Sequence, residues 1–379
     1  MSKLMKQSNY SISILPIDTL INIFSRLPIK SLLTLKSICK SWRSLITSRY
    51  FSNLHLHRNS LSIEKLLIFI GDDYSFYSVS LETLELAAIK IPFSSAWERF
   101  SRRKNIVGSC NGLLLCICDE SSVSEALLIN PSTLPCKKVP KLEVPQQCLY
   151  LSYGFGFDFV NDDYKIVRIA HFLGVRGDGT RWEVMNVSVG VYSLKFDTWK
   201  LVVSMIGPLG TPVSNNGTLV NNHLLHWLFS RGVSSNNEYR IDCFDVCREQ
   251  WSQVELPDLS GSHDGLKDLG VLDGCLCLMT GGSDVWVMKE YGVEESWEKL
   301  FSMSDRCVIG SLNIVPITYS KEGNEILLRK DVFSKAFWYE LCEKTTRTAE
   351  FHCLPSYRQV GVCIRSLISL CDNAQMAQR

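Results

Sequence analysis

The spacing of apolar residues divides the chain into a short helical region and a long region of strands. Between Leu15 and Ile46 apolar residues recur at steps of three and four, which is typical of helices that bury one face. From Glu64 onward, short alternating or wholly apolar runs are separated by Gly, Asn, Asp and Pro, which favours strands and turns. The pattern therefore predicts a small helical domain followed by a β domain.

The helical region is predicted to hold three short helices. Pro16 suits the start of the first helix, and Pro28 ends it. The second is either one continuous amphipathic helix or one broken near Lys40, and a short third helix through 41–48 precedes a tail at 49–58. The apolar stripe of the second segment consists of Leu32, Leu35, Cys39 and Trp42.

In the β region, a phrase of two strands around a polar turn recurs six times. In three copies a tryptophan follows a strand residue by seven to nine positions, the distance needed to cross a hairpin turn. These pairs are Tyr192 and Trp199, Phe244 and Trp251, and Met288 and Trp297. We interpret the tryptophans as packing between neighbouring repeats rather than as the lining of a ligand pocket.

Further apolar runs before several copies give about four strands in each period of thirty to fifty residues, which is the signature of a β-propeller. A two-sheet sandwich would explain the alternation but not the recurring phrase. The irregular spacing leaves open whether five or six blades close the ring. The last apolar run, 359–370, is predicted to complete the blade that begins near Lys65.

Composition narrows the classes of partner and the compartment. The 379 residues include 40 basic and 39 acidic side chains, so no strong field would attract nucleic acid or an anionic membrane. Apolar runs such as 66–70 are far too short to cross a bilayer, and the N-terminus lacks a secretory apolar core. The 15 cysteines fit buried thiols in a reducing compartment. We therefore expect a protein of the cytoplasm, the nucleus or both.

Several residue groups look like catalytic or metal sites but lack the necessary spacing. Ser262, His263 and Asp264 are adjacent in sequence, so they cannot form the relay of nucleophile, base and acid that a catalytic triad requires. His223 and His226 have no cysteine or carboxylate neighbours at the spacing of a structural zinc site. The sequence therefore predicts no catalytic residue, no metal ligand and no cofactor.

Two cysteine pairs and two glycines have structural explanations. With one residue between them, paired cysteines lie on one face of a strand, which favours core packing over zinc or redox chemistry. These pairs are Cys116 with Cys118 and Cys275 with Cys277. Gly154 and Gly156 lack the third glycine and the following helix of a phosphate-binding turn, so we expect a close backbone approach or a strand bend there.

The helical region needs a surface to cover it. A domain of about 45 residues is near the size at which a chain cannot bury enough surface alone. The helices can pack on the β domain, or their apolar residues can dock in a groove of another protein. Periodicity alone favours packing on the β domain without excluding docking.

The residues of this region, in order, resemble the F-box motif of plant F-box proteins over about thirty positions. The matching positions are Leu15-Pro16, Asp18, Leu20, Ile23, Arg26-Leu27-Pro28, Lys30-Ser31-Leu32-Leu33, Lys36, Cys39-Lys40, Trp42 and Leu45-Ile46. Thr19 and Ile38 depart from the residues common in that family. The phrases "SCNGLLLC", "YGFGFDFVNDDYKIVRI" and "VGVYSLKFDTWK" resemble the kelch-like, F-box-associated domain of the same proteins, including the S-locus F-box group.

The resemblance implies two functional parts. An F-box at 11–57 would bind a Skp-type linker and, through it, a cullin, within an SCF ubiquitin ligase. A β-propeller-like domain at 60–379 would select the protein to be ubiquitinated, with no chemistry of its own. The residues expected to contact the linker are Leu15, Pro16, Leu20, Ile23, Leu27, Pro28, Leu32, Leu35, Cys39 and Trp42.

Two other functions stay open at this point. A scaffold would bind the linker without directing ubiquitination. A propeller hydrolase or sugar-binding protein would instead bring several His, Asp or Glu side chains together at one mouth of the ring.

Overall fold

The computed structural model describes most of the chain. The described residues are 15–58, 64–81, 89–91, 104–120, 123–143, 148–175, 182–202, 210–214, 216–231, 238–259, 265–281, 284–303, 314–330 and 335–370. Within them, four helices precede six β-sheets that follow one another around a ring. The fold is therefore a small helical region followed by a β-propeller, as the apolar pattern predicts.

The helices are α1 (Ile17–Phe24), α2 (Ile29–Leu35), α3 (Lys40–Thr47) and α4 (Arg49–Arg58). Pro16 and Pro28 directly precede α1 and α2, with φ angles of −55° and −58° that their rings impose. Helix α2 ends before Lys36, and Cys39 has an extended backbone just before α3 begins. The predicted break near Lys40 is therefore confirmed, and the alternative of one continuous second helix is wrong.

The tail at 49–58 is a fourth helix, so the expectation of three helices is wrong. Its inward face includes Phe51 but also the polar residues Ser52 and His55, all of them buried. Ser52 Oγ donates a hydrogen bond to the carbonyl of Leu367 at 3.2 Å, and His55 Nε2 lies 2.9 Å from the carbonyl of Leu27. A search for apolar spacing misses this helix because its inward positions are partly polar.

The strands form six blades. Blade 1 begins with β1 (Lys65–Gly71), β2 (Phe76–Ser80) and β3 (Ile89–Lys90). Blade 2 contains β4 (Lys104–Cys110), β5 (Leu113–Glu120), β6 (Val123–Ile129) and β7 (Cys136–Lys138). Blade 3 contains β8 (Cys148–Asp158), β9 (Asp163–Val175), β10 (Trp182–Ser193) and β11 (Thr198–Val202).

Blade 4 has an inner strand in two pieces, β12 (Thr211–Pro212) and β13 (Thr218–Val220), followed by β14 (Leu224–Arg231), β15 (Glu238–Asp245) and β16 (Gln250–Val254). Blade 5 contains β17 (Leu266–Leu272), β18 (Cys275–Thr280), β19 (Asp284–Met288) and β20 (Trp297–Ser302). Blade 6 contains β21 (Ile314–Tyr319), β22 (Glu325–Lys330), β23 (Lys335–Glu340) and β24 (Thr346–Thr348). The last strand, β25 (Tyr357–Ile364), belongs to blade 1.

Closure of the ring joins the two ends of the β region. Strand β25 pairs antiparallel with β1, with Leu67 opposite Val362, and supplies the inner strand of blade 1. This confirms that the last apolar run completes the first blade. The ring holds six blades, which settles the choice between five and six.

The six recurring phrases are the two outer strands of the six blades. The predicted cross-strand pairs are confirmed: Tyr192 lies opposite Trp199, Phe244 opposite Trp251, and Met288 opposite Trp297. Trp199 Nε1 and Trp297 Nε1 donate hydrogen bonds to the carbonyls of Pro140 and Glu255, which leave the preceding blades. The tryptophans therefore join neighbouring blades, as the interpretation of their spacing requires.

The hydrophobic core lies between adjacent blades rather than in one central mass. In β1, Leu66 and Ile68 pack against blade 2, whereas Leu67 and Phe69 pack against blade 6. Both faces of this strand are therefore buried, which explains its continuous apolar run.

The two ends of the ring carry different connections. In blades 2 to 6, the chain runs from the inner strand outward through antiparallel neighbours. The first and third turns of each blade therefore lie at one end of the ring, and the second turns and the links between blades lie at the other. Asp162, in the first turn of blade 3, and Leu367, just after β25, both contact the helices. The helices thus sit at the end with the first and third turns, which we call the helix end.

Candidate functional site

The four helices share a small core that the C-terminal segment completes. Phe24, Leu32, Ile46 and Phe51 are at least 96% buried and cluster with Leu367. The rings of Phe24 and Trp42 meet edge to face, with centroids 4.9 Å apart. The β domain therefore covers one face of the helices, as the apolar periodicity favoured.

Charged contacts fix the helices on the ring. Arg49 Nε lies 2.8 Å from Asp162 Oδ2, and Lys30 Nζ lies 3.4 Å from Glu64 Oε1. The other oxygen of Glu64 is 2.6 Å from Arg365 Nε. Burial opposes ionisation of Glu64, but hydrogen bonds from Arg365 and Ser80 lower its pKa below the usual value. The carboxylate therefore links the helices to both ends of the β region.

The ten residues predicted to contact a linker differ in exposure. Five are exposed: Leu15, Pro16, Ile23, Pro28 and Cys39. Four are partly buried: Leu20, Leu27, Leu35 and Trp42. Leu32 is fully buried among the helices, and its contact with a linker stays a prediction.

Three exposed apolar residues of the helical region, Ile17, Ile38 and Tyr50, were missed from the sequence. Ile17 and Ile38 expose 61% and 59% of their surface. Ile17 lies three positions before Leu20, so the helical spacing already pointed to it. Ile38 lies in the break between α2 and α3, where helical periodicity does not apply.

The helical region is strongly basic, unlike the chain as a whole. Residues 15–58 hold seven Lys and Arg side chains but one acidic residue, Asp18, whereas the formal net charge of the whole chain is +1. Lys40 and Arg43 are exposed near the break between α2 and α3. Burial and the charge of Arg43 lower the pKa of Lys36, which lies nearby. The surface therefore suits a partner with an acidic face.

Cys39 occupies a distinctive position at the start of α3. It is exposed, and its Sγ lies 3.4 Å from Ser41 Oγ. This hydrogen bond, with one from the backbone of Trp42, lowers the pKa of the thiol. Cys39 is therefore a more acidic thiol than an ordinary exposed cysteine.

A central cavity of about 520 Å³, here called the channel, lies between the inner strands of the ring. Its charged lining residues are Lys65, Asp268, Asp273 and Arg329. Lys65 Nζ lies 3.7 Å from Asp273 Oδ1. Among the described residues that line the channel there is no histidine or glutamate. Of the His, Asp and Glu side chains that the hydrolase alternative would bring together, the described lining holds two aspartates, Asp268 and Asp273.

The histidines of the described blades make structural contacts. His226 is fully buried, with Nδ1 at 3.2 Å from the carbonyl of Thr218 and Nε2 at 2.7 Å from Tyr291 Oη, which joins blades 4 and 5. His171 Nε2 lies 3.1 Å from Ser152 Oγ, but both residues are fully buried and burial lowers the pKa of His171 to about 4. Within the described chain, no group of three His, Cys, Asp or Glu residues is placed to hold a metal ion.

The paired cysteines and the glycines behave as expected. Cys116, Cys118 and Cys277 are buried, and burial raises the pKa of Cys277 to about 12. A Cβ at Gly154 would lie 2.9 Å from the side chains of Leu225 and Trp227, so these side chains of blade 4 pack directly on the backbone of blade 3. The polar loop Ser262-His263-Asp264 lies outside the described residues.

Comparison with known proteins explains this arrangement. Residues 67–361 match the family described as the F-box associated beta propeller domain, and residues 12–54 match the F-box domain. The chain is an F-box protein. It is 30% identical to F-box protein CPR1 of Arabidopsis thaliana, over 94% of this chain and 89% of that protein. It is also 30% identical to F-box protein At4g22390 of the same plant, over 96% and 92% of the two chains.

Family membership gives the two regions their names. The four helices are the F-box region of this F-box protein, and the six blades are its F-box-associated propeller. The S-locus group suggested by the phrases of the β region stays a prediction. No helix of the described F-box protein is both long and apolar enough to cross a lipid bilayer.

Proposed function

We propose that this F-box protein is the substrate-recognition adaptor of an SCF-type ubiquitin ligase. Its F-box, at 11–57, binds a Skp-type linker and thereby a cullin, and its propeller, at 60–379, binds the protein to be ubiquitinated. The adaptor catalyses no bond chemistry. It raises the effective concentration of the substrate near the charged conjugating enzyme. This role places it in the cytoplasm, the nucleus or both.

One observation carries the proposal: the F-box is buried on one side and exposes apolar side chains within a basic surface on the rest. Leu15, Ile17, Ile23 and Ile38 expose between 42% and 61% of their surface. Full burial of such a side chain contributes about 1.5–3 kcal/mol, so a partner that covered the exposed half of each one would gain about 1 kcal/mol per residue. The basic charge around them suits an acidic linker and would speed its association.

The geometry of the ring supports separate sites for the linker and the substrate at opposite ends. The F-box occupies the helix end, near the first turn of blade 3. The second turns of blades 2 to 6 and the links between blades leave the strands at the opposite end. Surface connections are where recognition residues concentrate, because the scaffold positions them while their sequence can vary. We therefore assign substrate recognition to the end that faces away from the F-box.

The test of linker binding uses the two exposed residues Ile23 and Pro28. Replacing both with alanine in the full chain should weaken binding to a purified plant Skp-type linker about tenfold or more, since exposed apolar anchors dominate such interfaces. Leu201→Ala is the matched control, because Leu201 is 67% exposed but lies on the outer strand of blade 3. If the double variant and the control bind the linker with equal affinity, the assignment of Ile23 and Pro28 to the linker-binding surface is refuted.

A second experiment separates the adaptor from the scaffold alternative. Proteins captured on the full chain under proteasome inhibition are added to a reconstituted ligase. An adaptor supports their ubiquitination with the wild-type chain, and the reaction falls with the Ile23 and Pro28 variant. Capture without ubiquitination would instead favour the scaffold.

A further inference from the structure

Residues 365–370, which directly follow β25, belong to the F-box as much as to the propeller. Their side chains at Ser366, Leu367, Ile368 and Leu370 are at least 95% buried. Ile368 and Leu370 pack in the core between blades 2 and 3, whereas Leu367 enters the core of the four helices. We call residues 365–370 the tail segment. It joins the two regions through buried contacts on both sides.

The core that Leu367 completes lies beneath the residues predicted to contact the linker. Half of those ten residues either belong to this core or pack against it. They are Leu20, Leu27, Leu32, Leu35 and Trp42. Because the helical region of about 45 residues is too small to bury a sufficient core alone, the position of these side chains depends on Leu367.

The main chain of the tail segment is held between blade 2 and α4. Asn130, which is fully buried, donates from Nδ2 to the carbonyls of Ser366 and Ile368 at 3.2 and 2.8 Å. The carbonyl between them, that of Leu367, accepts a hydrogen bond from Ser52 Oγ on α4 at 3.2 Å. Successive carbonyls thus bind the propeller and the F-box in turn. Asn130 therefore fixes the place from which Leu367 reaches the helices.

The tail segment is also coupled to closure of the ring. The backbone N–H of Arg365 donates to the carbonyl of Glu64 at 3.0 Å, next to the start of β1. Only three residues separate Leu367 from Ile364, the last residue of β25, and three residues span at most about 11 Å. Pairing of β25 with β1 therefore brings Leu367 within reach of the helices without a further loop.

We infer that the tail segment positions the linker-binding residues of the F-box, so that the linker binds tightly only when β25 has closed the ring. This inference rests on the proposed function. Leu367 and Asn130 are positioning residues, because both are too deeply buried to touch the linker themselves. A chain whose last strand is displaced would carry a loosened F-box and would be excluded from the ligase.

The first test measures the dissociation constant of the full chain for a purified plant Skp-type linker. In Leu367→Ala it should rise about tenfold or more, because apparent affinity falls with the fraction of F-box in the binding-competent state. Leu367→Met conserves volume and should stay within about threefold of the wild type. Leu370→Ala, equally buried but in the core between blades 2 and 3, should change the constant less than about twofold.

The second test asks whether Asn130 acts through the tail segment rather than through general stability. Asp245, in the third turn of blade 4, is the matched control. Its Oδ1 accepts two backbone N–H groups of its own turn at 2.8 and 3.2 Å, as Asn130 Oδ1 does at 2.8 and 3.3 Å. Alanine at either position removes such a turn contact and should lower the melting temperature. Only Asn130→Ala should also weaken linker binding, about threefold or more.

The third test uses the reciprocity of coupled equilibria. If the tail segment strengthens linker binding, the linker must stabilise the tail segment by the same factor. Amide hydrogen exchange within 365–370 of the wild-type chain should therefore slow when the purified linker is added. A tail segment that only stabilises the ring would exchange at the same rate with and without the linker, and that result would overturn the inference.

The outcomes separate this inference from the function on which it rests. If the wild-type chain does not bind the linker, the proposed function fails and this inference fails with it. If the wild type binds but Leu367→Ala and Asn130→Ala bind equally well, this inference alone is overturned. Equal weakening of linker binding by Asn130→Ala and Asp245→Ala would also overturn it, because the effect would then follow from stability alone.

Discussion

Leu367 links the two parts of the molecule, and truncating it should release the F-box from its fold. The side chain is 95% buried and packs with the core of the four helices. Replacing a buried leucine with alanine costs about 2–5 kcal/mol, from lost burial and the cavity that remains. Domains gain about 0.05–0.15 kcal/mol of stability per residue, so the helices at 15–58 contribute about 2–7 kcal/mol. The free energy lost in Leu367→Ala is therefore comparable to the whole stability of the four helices.

Amide hydrogen exchange, read by mass spectrometry on the full chain, measures this effect directly. In Leu367→Ala the protection of α1 to α4 should fall by a factor of about 30 or more, because 1.4 kcal/mol corresponds to tenfold. The blades should keep their protection, since their cores lie between neighbouring sheets.

Leu370→Ala is the matched control for that experiment. Leu370 has the same 5% exposure and lies three positions away, but it belongs to the core between blades 2 and 3. Its truncation should lower protection in those blades rather than in the helices. The reasoning is refuted if Leu367→Ala leaves the helices as protected as in the wild type, or if both variants expose them equally.

Three further predictions address single residues. Iodoacetamide near neutral pH should alkylate Cys39 before buried thiols such as Cys277 and Cys363, because the pKa of Cys39 is lowered while burial raises the pKa of the other two. Peptide mapping that found a buried thiol modified first would contradict this order. Asp158→Asn should cost about 1.5–3 kcal/mol at neutral pH, measured by urea unfolding, because it removes one charged partner of the buried ammonium of Lys165, which keeps Glu249 at 3.0 Å. Burial opposes ionisation of Asp158, but the hydrogen bond from Lys165 lowers the pKa of this carboxyl group below its usual value. The stabilisation from the ionised carboxylate is therefore present above about pH 4 and is lost as the pH falls further. A stability difference between wild type and variant that persisted in acid would refute this pH dependence. Gly154→Ala should cost about 1–3 kcal/mol through overpacking, whereas Gly108→Ala, with no atom within 4 Å of its added Cβ, should cost less; equal melting temperatures would show that the close approach is not limiting.

Sequence patterns predicted the parts of the fold that depend on residues close together in the chain. The hairpins followed from a spacing such as that of Tyr192 and Trp199, because a turn of fixed length brings two nearby residues opposite each other. The break near Lys40 and the helix starts after Pro16 and Pro28 followed from backbone preferences of single residues.

The candidate site was predictable only in part, because a helical stripe shows that residues are apolar but not what covers them. Leu32 and Ile23 belong to the same predicted face, yet the first is fully buried and the second exposed. The fourth helix was missed because Ser52 and His55, both buried, satisfy their polar atoms through contacts with distant carbonyls.

The sequence by itself determined that helices precede paired strands, where the hairpins turn, and that the order of residues matches an F-box and its associated domain. Only the tertiary structure decided that six blades close the ring, that Leu367 enters the helical core, and that the F-box sits at one end of the propeller. The physical reason is the range of the interactions. Turns and helix starts depend on neighbouring residues, whereas closure by β25 and the packing of Leu367 join segments about 300 residues apart, and their geometry exists only once the whole ring has formed.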